Sequence, residues 1–430
     1  MRIQLWRRLQ LRLKKMNKII VIGGGIAAIN GIQAIREVDP DVAIDLFSEE
    51  QYYPYYRLKL SKMLFDKLDE DSAGMLLKPK DWYGQNKVNL HFNVKVQGVD
   101  VERQEILLPQ GSSMRYDGLL LANGARNRLL SITGFDSCKL YSIRNLEDII
   151  KIRNEMESKN RVFYIGGGVL GLETAWIIQQ HGKKAAIAEI QNRLFPRQLD
   201  EKAATILEGL VESFGIRVFT NAEVVKIYGN QAVWGVEMRD GQKFPCDMVL
   251  YSTGIQPNTD IVKGTAIQIN RGIVVGDKMQ TSVPNIYAAG DVAEYEGRVY
   301  GLWNIAAGQG KIAGYNMAGR SIVYRPGIPV TALNAFGTSL FSMGDVSETG
   351  GARTIIEEDR AKNIYRRIFV KDQTIIGAIC IGDSGKTVPF KNAIEQKQSL
   401  NGIEWENITI GQILERLKSM HDAGTNIKNN

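Results

Sequence analysis

Two short glycine-rich segments contain the residues of this chain whose types and spacing best suit a chemical role. KIIVIGGGIAAINGI (Lys18–Ile32) and RVFYIGGGVLGLETAWII (Arg161–Ile178) each run from an apolar strand pattern through three glycines into a helical pattern. Glycines at such a turn let backbone N–H groups approach a pyrophosphate at the N-terminus of the helix. One such motif is common, but two copies, whose first glycines Gly23 and Gly166 lie 143 residues apart, predict two dinucleotide-binding folds.

The first loop has the pattern GxGxxA, formed by Gly23, Gly25 and Ala28. The small third residue of this pattern lets the helix and the strand pack closely. Glu49 lies 24 residues after Gly25, just beyond the next strand pattern, where a carboxylate accepts hydrogen bonds from ribose hydroxyls. Asp45 is the competing acid, but it lies inside the strand pattern. We therefore predict that Glu49 binds the ribose at the first fold.

The second loop, with Gly166, Gly168 and Gly171, is followed by Glu189, which lies 21 residues beyond Gly168. A carboxylate at this place accepts from the adenine-ribose 2′-hydroxyl and repels a 2′-phosphate. The second fold should therefore prefer NADH over NADPH. Arg193 is the residue that weakens this prediction, since an arginine can turn toward a 2′-phosphate.

Three further segments continue the same architecture. YDGLLLANGARN and CDMVLYSTGIQPN end apolar runs at Gly124 and Gly254, as strands do where a chain crosses between domains. TSVPNIYAAGDVAEY contains a short strand pattern that stops at Gly290 and Asp291. A carboxylate at that position is placed to hydrogen-bond a ribityl or phosphate-linked hydroxyl.

The composition, 430 residues with 44% hydrophobic and 23% charged, is that of a globular protein with two or three domains. The formal charge is +7, but residues 1–15 contribute six positive charges and no acid, so the remainder is near neutral and gives no support for a nucleic-acid surface. Ile3, Trp6, Leu9 and Leu13 recur at roughly helical spacing, which permits a membrane-surface or targeting helix. Because Met16 begins an abrupt strand pattern, we interpret residues 1–15 as a basic, disordered extension or as the result of an upstream start codon.

The cysteines and histidines exclude several kinds of site. Cys138, Cys246 and Cys380 lie more than a hundred residues apart with no CxxC spacing, and the three histidines have no metal-ligand spacing. We therefore predict no disulfide framework, no metal site and a reducing, cytoplasmic location. We also expect no membrane-spanning segment.

The motifs GxGxxA, GGGxLGLE, ANG, STG and TxxxxIYAAGDVA, in this order and spacing, resemble the pyridine nucleotide-disulfide oxidoreductase superfamily over residues 17–420. Within it, SEEQYYPYYRLKLSK, DWY and IGDSGKTVPFKNAIEQ look most like NADH-rubredoxin oxidoreductases and the flavin-binding part of nitrite reductase large subunits. The resemblance implies FAD on the first fold and NAD(P)H on the second.

The fold that the resemblance implies is α/β, with two Rossmann-like dinucleotide-binding domains, the FAD domain split by the NAD domain. It implies an FAD-binding domain at residues 17–125 and 255–325 and an NAD-binding domain at 126–254. Residues 326–420, where a hairpin-like pattern precedes a helical stretch, should form a C-terminal α+β domain.

The chain departs from the superfamily in two informative ways. Disulfide reductases carry active cysteines after the first acid, whereas this region reads PYYRLKLSKMLF, which excludes a thiol relay there. The large nitrite reductase subunits continue into cysteine-bound iron–sulfur and sirohaem domains, which this sequence lacks. We therefore expect that this chain does not reduce nitrite by itself.

The resemblance also assigns side-chain roles. Glu173, expected on the first turn of its helix, matches a glutamate that pairs in ferredoxin reductases with the lysine of an LSK motif, here Lys62; a buried lysine near flavin N5 would stabilise negative charge. Trp303 matches an aromatic beside the flavin in oxygenase-coupled relatives. The alternatives stay open: Glu173 binds the nicotinamide ribose or caps its helix, Lys62 is solvated, and Trp303 is a core residue. Arg57 contacts either FAD phosphate or an acidic partner.

These features predict an FAD-dependent NADH oxidoreductase, monomeric or homodimeric, that passes electrons to a small iron-containing carrier such as rubredoxin or ferredoxin. A local basic patch of Arg57, Lys59, Lys62 and Lys67 is the expected docking point. Three other functions stay open: an NADH oxidase, an NADH-oxidising flavoprotein subunit docked to an iron–sulfur subunit, and a ligand sensor in which NADH binding changes association.

Overall fold

The computed structural model describes residues 16–66, 74–347, 351–382, 387–406 and 408–428, so the predicted extension at residues 1–15 lies outside it. The described chain divides into two compact units. The first unit comprises residues 16–57, 74–126 and 255–327. The second comprises residues 58–66 and 127–254 and the described residues from 328 onward.

The helices and strands have the following bounds. The helices are α1 (Ile26–Arg36), α2 (Lys80–Gln85), α3 (Leu146–Met156), α4 (Val169–Gln180), α5 (Glu201–Ser213), α6 (Trp303–Met317), α7 (Thr387–Gln396) and α8 (Ile410–Lys428). The strands of the first 127 residues are β1 (Lys18–Ile22), β2 (Ala43–Phe47), β3 (Val88–His91), β4 (Gly98–Asp100), β5 (Glu105–Leu107), β6 (Ser113–Arg115), β7 (Gly118–Leu121) and β8 (Ala125–Asn127). Those between residues 128 and 254 are β9 (Arg161–Ile165), β10 (Lys184–Ala188), β11 (Arg217–Phe219), β12 (Val224–Asn230), β13 (Ala232–Met238), β14 (Lys243–Phe244) and β15 (Met248–Tyr251). The remaining strands are β16 (Ile255–Pro257), β17 (Ile273–Val275), β18 (Ile286–Ala288), β19 (Ala293–Tyr295), β20 (Val330–Ala335), β21 (Thr338–Gly344), β22 (Arg353–Asp359), β23 (Ile364–Lys371) and β24 (Thr374–Gly382).

The first unit is built on a parallel sheet with strand order β18-β7-β1-β2-β3. β1 has the sequence KIIVI and buries its last four residues, as expected of a strand covered on both faces. The strand order reverses at β1, so the loop after β1 opens into the crevice where doubly wound sheets bind ligands. α6 packs against α1 at close range, since a Cβ at Gly310 would stand 2.1 Å from the carbonyl oxygen of Ala27.

The second unit repeats this arrangement in a parallel sheet with strand order β11-β10-β9-β15. β9, the strand before the second glycine loop, lies between β10 and β15, so its loop also leaves the sheet at a switch point. β12, β13 and β14 form an antiparallel sheet whose inner side joins the same core. The predicted α/β fold with two doubly wound parallel sheets is therefore observed.

The C-terminal part of the second unit is an antiparallel sheet with strand order β20-β21-β24-β23-β22. Its core includes Phe390 of α7 and Ile413 of α8, both fully buried against the sheet. The β23–β24 hairpin turns at Asp372 and Gln373, which both have positive φ, as a tight hairpin turn requires. This region has the predicted α+β character.

A buried carboxylate joins α5 to the C-terminal sheet within the second unit. Asp200, whose side chain is 1% exposed, caps α5 by accepting from the Ala203 N–H at 2.8 Å. It also accepts from the Tyr365 hydroxyl at 2.7 Å and from Arg367 Nη1 at 3.0 Å. A buried charge that is satisfied in this way depends on all of its partners.

Residues 58–66 group with the second unit, although the predicted division counts them with the FAD-binding domain. The guanidinium of Arg153, on α3, donates to the carbonyls of Met63 at 2.8 Å and Leu64 at 3.1 Å. The Phe65 ring stacks on His181 with centroids 4.0 Å apart. These contacts depend on residues about a hundred positions away, which explains why the local sequence does not indicate them.

Candidate functional site

The first glycine loop has the geometry of a phosphate cradle. Gly23 has φ +106°, and a Cβ there would stand 2.3 Å from the carbonyl oxygen of Ala122, so only glycine fits. Gly25 is the N-cap of α1 and supplies no side-chain cap, and a Cβ at Gly25 would meet nothing within 4 Å. Open space over uncapped helix N–H groups fits the pyrophosphate of a dinucleotide. Ala28 is fully buried, as its packing role requires.

The second loop has the same geometry. Gly166 has φ +117° and lies against the carbonyl of Ser252, and Gly168 caps α4 with nothing within 4 Å of an added Cβ. Gly171 differs, because its Cβ would stand 2.1 Å from the carbonyl oxygen of Gly166. The first two positions therefore serve an open loop, whereas the third serves close packing of helix on strand. By comparison, α3 is capped by the side chain of Asn145.

Glu189 lies at the second loop, as its spacing predicts. Its carboxylate accepts from the backbone N–H of Gly167 and from that of Gln191, each at 2.9 Å. These bonds hold the carboxylate at the edge of the loop, where the adenine ribose of a bound dinucleotide is expected. Arg193 follows in the same connection, and its guanidinium donates to the carbonyl of Pro196 at 3.3 Å and lies 3.5 Å from Oδ1 of Asn192.

The two acids considered for the first loop have different surroundings. Asp45 is buried in β2, with one carboxylate oxygen 2.7 Å from His91 Nε2 and the other 3.4 Å from Lys18 Nζ. Glu49 follows the end of β2, and its side chain is 61% exposed and 3.5 Å from Lys95 Nζ. Asp45 thus has a structural role, and Glu49 remains the acid that is open to a ligand.

Arg57 lies in a polar cluster of the first unit. Its guanidinium pairs with Glu50 and lies over the ring of Tyr55, and the Tyr55 hydroxyl donates to the same Glu50 at 2.5 Å. Burial opposes the charged form, but Tyr55, Glu50 and Asp291 more than offset it and raise the pKa of Arg57. The sequence pattern did not identify Glu50. Glu49 and Glu50 are adjacent, and the fold decides which of the two turns inward.

The Asp291 and Gly124 segments also have constrained backbones. Gly290 has φ +81°, and its N–H donates to the side-chain oxygen of the buried Gln309 at 2.9 Å, which fixes the turn before Asp291. Gly124 has φ +64°, and beside it Asn123 and Asn258 exchange amide-to-carbonyl bonds at 2.8 Å.

One atom near Gly124 is available to accept from a ligand, because Oδ1 of Asn123 is buried and accepts no hydrogen bond from the described residues. A buried acceptor of this kind fits a polar ligand edge. Gly254, at the end of the second unit's 127–254 segment, has φ +102° and open space around it.

Trp303 begins α6 and is half-buried. Its ring stacks on Tyr56 at 5.6 Å between centroids, with 26° between the ring planes. Both residues belong to the first unit and pack on its core. Packing therefore accounts for part of the role of Trp303.

Glu173 and Lys62 form a long ion pair in the second unit. Glu173 Oε1 lies 3.9 Å from Lys62 Nζ, and the two side chains are 13% and 49% exposed. The expected buried lysine is therefore half-exposed, and Glu173 lies in the second turn of α4 rather than the first. The closest partner of Glu173 is Ser61, whose hydroxyl donates at 2.9 Å. Burial raises the pKa of Glu173, and Ser61 and Lys62 offset part of that rise.

The cysteines are not poised for redox chemistry. Burial raises the pKa of the Cys246 thiol to about 12 and also raises that of Cys138, so neither is a thiolate near neutral pH. Cys380 is buried in the C-terminal sheet. Within the described ranges, no group of three or more histidine, cysteine or acidic residues is arranged to hold a metal. In the same ranges, no helix has the length and apolar character needed to cross a membrane.

Comparison with known proteins identifies similar chains. Residues 17–310 match the pyridine nucleotide-disulphide oxidoreductase family, and residues 329–398 match the rubredoxin NAD+ reductase C-terminal domain. The NADH-rubredoxin oxidoreductase of Clostridium acetobutylicum is 31% identical over 389 residues, which cover 90% of this chain and 97% of that protein. The crystal structure of NADH:rubredoxin oxidoreductase from the same organism matches with a TM-score of 0.75 and 30% identity over 93% of this chain and 99% of that one.

A second relative is longer. The nitrite reductase [NAD(P)H] of Bacillus subtilis is 31% identical over 412 residues, which cover 95% of this chain. The chain spans 50% of the length of that protein.

Proposed function

Because the chain belongs to the pyridine nucleotide-disulphide oxidoreductase family, we propose that it oxidises NADH and passes the electrons through FAD to a small iron-containing carrier of the rubredoxin or ferredoxin kind. The observation that carries the proposal is one chain with two open glycine loops and, after the first, a segment PYYRLKLSKMLF that has no cysteine. A bound flavin takes up two electrons as hydride and releases them singly or in pairs. With no thiol to relay them, the electrons leave directly for a docked acceptor.

The residues proposed to hold each nucleotide follow from the two loops. FAD is held in the domain of residues 17–125 and 255–325, by Gly23, Gly25, Ala28, Glu49, Arg57, Gly124, Gly290 and Asp291. NADH is held in the domain of residues 126–254, by Gly166, Gly168, Gly171, Glu173, Glu189 and Gly254. Lys62 and Trp303 are proposed to border the flavin. Uncapped helix N–H groups and open space at Gly25 and Gly168 support both assignments.

The docking point for the carrier is proposed at the two short turns that follow Arg57. Leu58 is 61% exposed, Lys59 is exposed and Lys62 is half-exposed, so an apolar residue is flanked by cations. Such a surface suits a small acidic carrier, whose charge aids encounter. Arg57, also predicted for this patch, is engaged by Glu50, and Lys67 lies outside the described residues.

The proposed location is the cytoplasm. The proposal rests on the sequence, in which Cys138, Cys246 and Cys380 lie more than a hundred residues apart with no CxxC spacing. Few and widely separated cysteines are typical of a reducing compartment.

Turnover of the FAD-loaded protein with NADH tests the function, measured anaerobically with each carrier and separately in air without a carrier. We expect reduction of rubredoxin or ferredoxin at a rate well above NADH consumption by dioxygen alone. Ferricyanide serves as the control acceptor, because it needs no specific docking surface. Rapid reduction of dioxygen, with no electrons passed to either carrier, would refute the proposal and favour an NADH oxidase.

A second candidate is an NADH-oxidising subunit of a larger complex. It is supported by the match of 95% of this chain to half of the Bacillus subtilis nitrite reductase. In that case the acceptor is an iron–sulfur subunit rather than a diffusing carrier. Co-purification of such a subunit, together with slow turnover of free carriers, would favour this candidate.

A further inference from the structure

A buried serine holds the Glu173 carboxylate. Ser61 is 2% exposed, and its hydroxyl donates to Glu173 Oε2 at 2.9 Å. Lys62 approaches the other oxygen only to 3.9 Å and is half-exposed. A hydrogen bond of good length to a mostly buried carboxylate contributes more than a long ion pair that water screens. Ser61 is therefore the stronger of the two partners.

The turn that presents Ser61 is fixed at its other end. Arg153 binds the carbonyls of Met63 and Leu64, and Phe65 stacks on His181 with 9° between the ring planes. The turn Ser61–Met63 is thus held against α3 and α4 by separate contacts. These contacts fix the Ser61 hydroxyl beside the carboxylate of Glu173.

We propose that Ser61 is a positioning residue for NADH oxidation, which orients the Glu173 carboxylate and keeps it ionised to receive the nicotinamide half of NADH. The inference rests on the proposed function, since it requires that NADH binds over the Gly168 loop. Glu173 lies on the same helix as Gly168, five residues on, or about 7.5 Å along the helix axis. A carboxylate at that distance from the loop suits a hydrogen-bond acceptor for the far half of the dinucleotide.

The proposal predicts how NAD+ binding depends on pH, with a definite sign. Burial raises the pKa of Glu173, so this carboxyl takes up a proton at a higher pH than an exposed glutamate does. Ser61 and Lys62 face it from the turn and lower that pKa. Arg153 of α3 and His181 at the end of α4 contact the turn further along. Loss of the Ser61 hydroxyl therefore moves the protonation of Glu173 further upward in pH.

The test uses the FAD-loaded protein and NAD+ as the probe. Calorimetric titrations between about pH 5 and about pH 9 give the affinity, and infrared difference spectra with labelled glutamate report the protonation of Glu173. For Ser61→Ala we expect roughly tenfold weaker NAD+ binding at neutral pH. The acid limb, which is the loss of NAD+ affinity as the pH falls, should move to higher pH. Ser61→Thr, which keeps the hydroxyl, should retain most of the wild-type affinity.

Two control variants separate this effect from a general loosening of the unit and from any contribution of the His181 imidazole. Ser342 is 4% exposed, and its hydroxyl donates to the carbonyl of Gln198 at 2.6 Å within the same unit, so Ser342→Ala removes a comparable bond elsewhere. His181→Phe keeps an aromatic ring to stack on Phe65 but removes the imidazole. Neither variant should move the acid limb.

If Ser61→Ala fails to fold, Arg153→Gln loosens the same turn without touching Glu173, and the limb should shift in the same direction. A Ser61→Ala protein that melts at a lower temperature but keeps the wild-type acid limb and infrared spectrum overturns the proposal, because Ser61 is then only structural. A wild-type protein that binds no NAD+ refutes the proposed function instead. The two failures are therefore distinguishable.

Discussion

A single methyl group at Gly168 tests whether the open space over the second glycine loop holds the pyrophosphate of NADH. Gly168 has φ −85° and ψ −176°, which alanine adopts readily, and nothing lies within 4 Å of the added Cβ. Gly168→Ala should therefore fold, and its methyl group should occupy the space above the first N–H groups of α4. Gly171→Ala, three residues on, meets the carbonyl of Gly166 at 2.1 Å and should destabilise the unit instead.

The effects of Gly168→Ala on stability and on NAD+ affinity can be compared from the known size of each contribution. Alanine is a poorer N-cap than glycine by about 0.5–1 kcal/mol, and the lower entropy of the unfolded chain returns about 0.4–1 kcal/mol, so the net change in stability is small. A displaced charge-assisted hydrogen bond to phosphate costs about 1.5–3 kcal/mol, which is roughly 10- to 150-fold in NAD+ affinity. The binding effect should therefore greatly exceed the effect on stability.

Calorimetry with NAD+, thermal melting and flavin content measured on one preparation check this prediction. Gly209→Ala is the matched control, since Gly209 lies in α5 of the same unit and an added Cβ there also meets nothing within 4 Å. Gly25→Ala, at the first loop, should lower FAD retention. Wild-type NAD+ affinity in a folded Gly168→Ala protein would show that the open space is not a phosphate site.

Four further predictions concern the same chemistry. The wild type should use NADH with a higher kcat/KM than NADPH, and Glu189→Ala should narrow the gap; equal values in the wild type would contradict the role of Glu189. Replacing all three cysteines with alanine should leave anaerobic flavin bleaching by NADH within a few-fold of wild type, whereas a hundredfold loss with FAD still bound would restore a thiol mechanism. Lys62→Met and Glu173→Gln should each slow hydride transfer, with a coupling of only about 0.2–1 kcal/mol, because the pair is long and half-exposed; strict additivity in stopped-flow rates would mean that the two do not interact. Carrier reduction should slow above roughly 0.1 M salt, and Lys59→Glu should slow it more than ferricyanide reduction; equal slowing of both would remove the patch from docking.

Much of the architecture could be predicted from the sequence because it depends on local constraints. Gly23 and Gly166 adopt the positive φ values that the loop pattern requires, and Glu189 accepts from the N–H of Gly167 at the second loop. The family and the fold class are confirmed by the similarity to known proteins. Motif order and spacing were sufficient for these conclusions.

The side-chain partners could not be predicted in the same way. The sequence left both a buried and a solvated Lys62 open, and Lys62 is half-exposed, because a lysine side chain can reach water from a turn whose neighbour Ser61 is buried. Glu50, rather than Glu49, engages Arg57, since the direction of the chain after β2 turns one acid inward. Residues 58–66 pack with α3 and α4 through Arg153. Each of these outcomes depends on contacts between segments far apart in sequence.

The hydrogen bonds that join Asp200 at the start of α5 to the C-terminal sheet limit how this protein can be recombined with its relatives. A gene fusion or truncation that removes the strand carrying Tyr365 and Arg367 leaves an acid at the start of α5 without two of its donors. Losing one partner of a buried charge costs about 3–5 kcal/mol, a large part of the stability of a typical domain. The C-terminal sheet is therefore not an interchangeable module: a chimaera between relatives should remain stable only when the acid and both donors are inherited together.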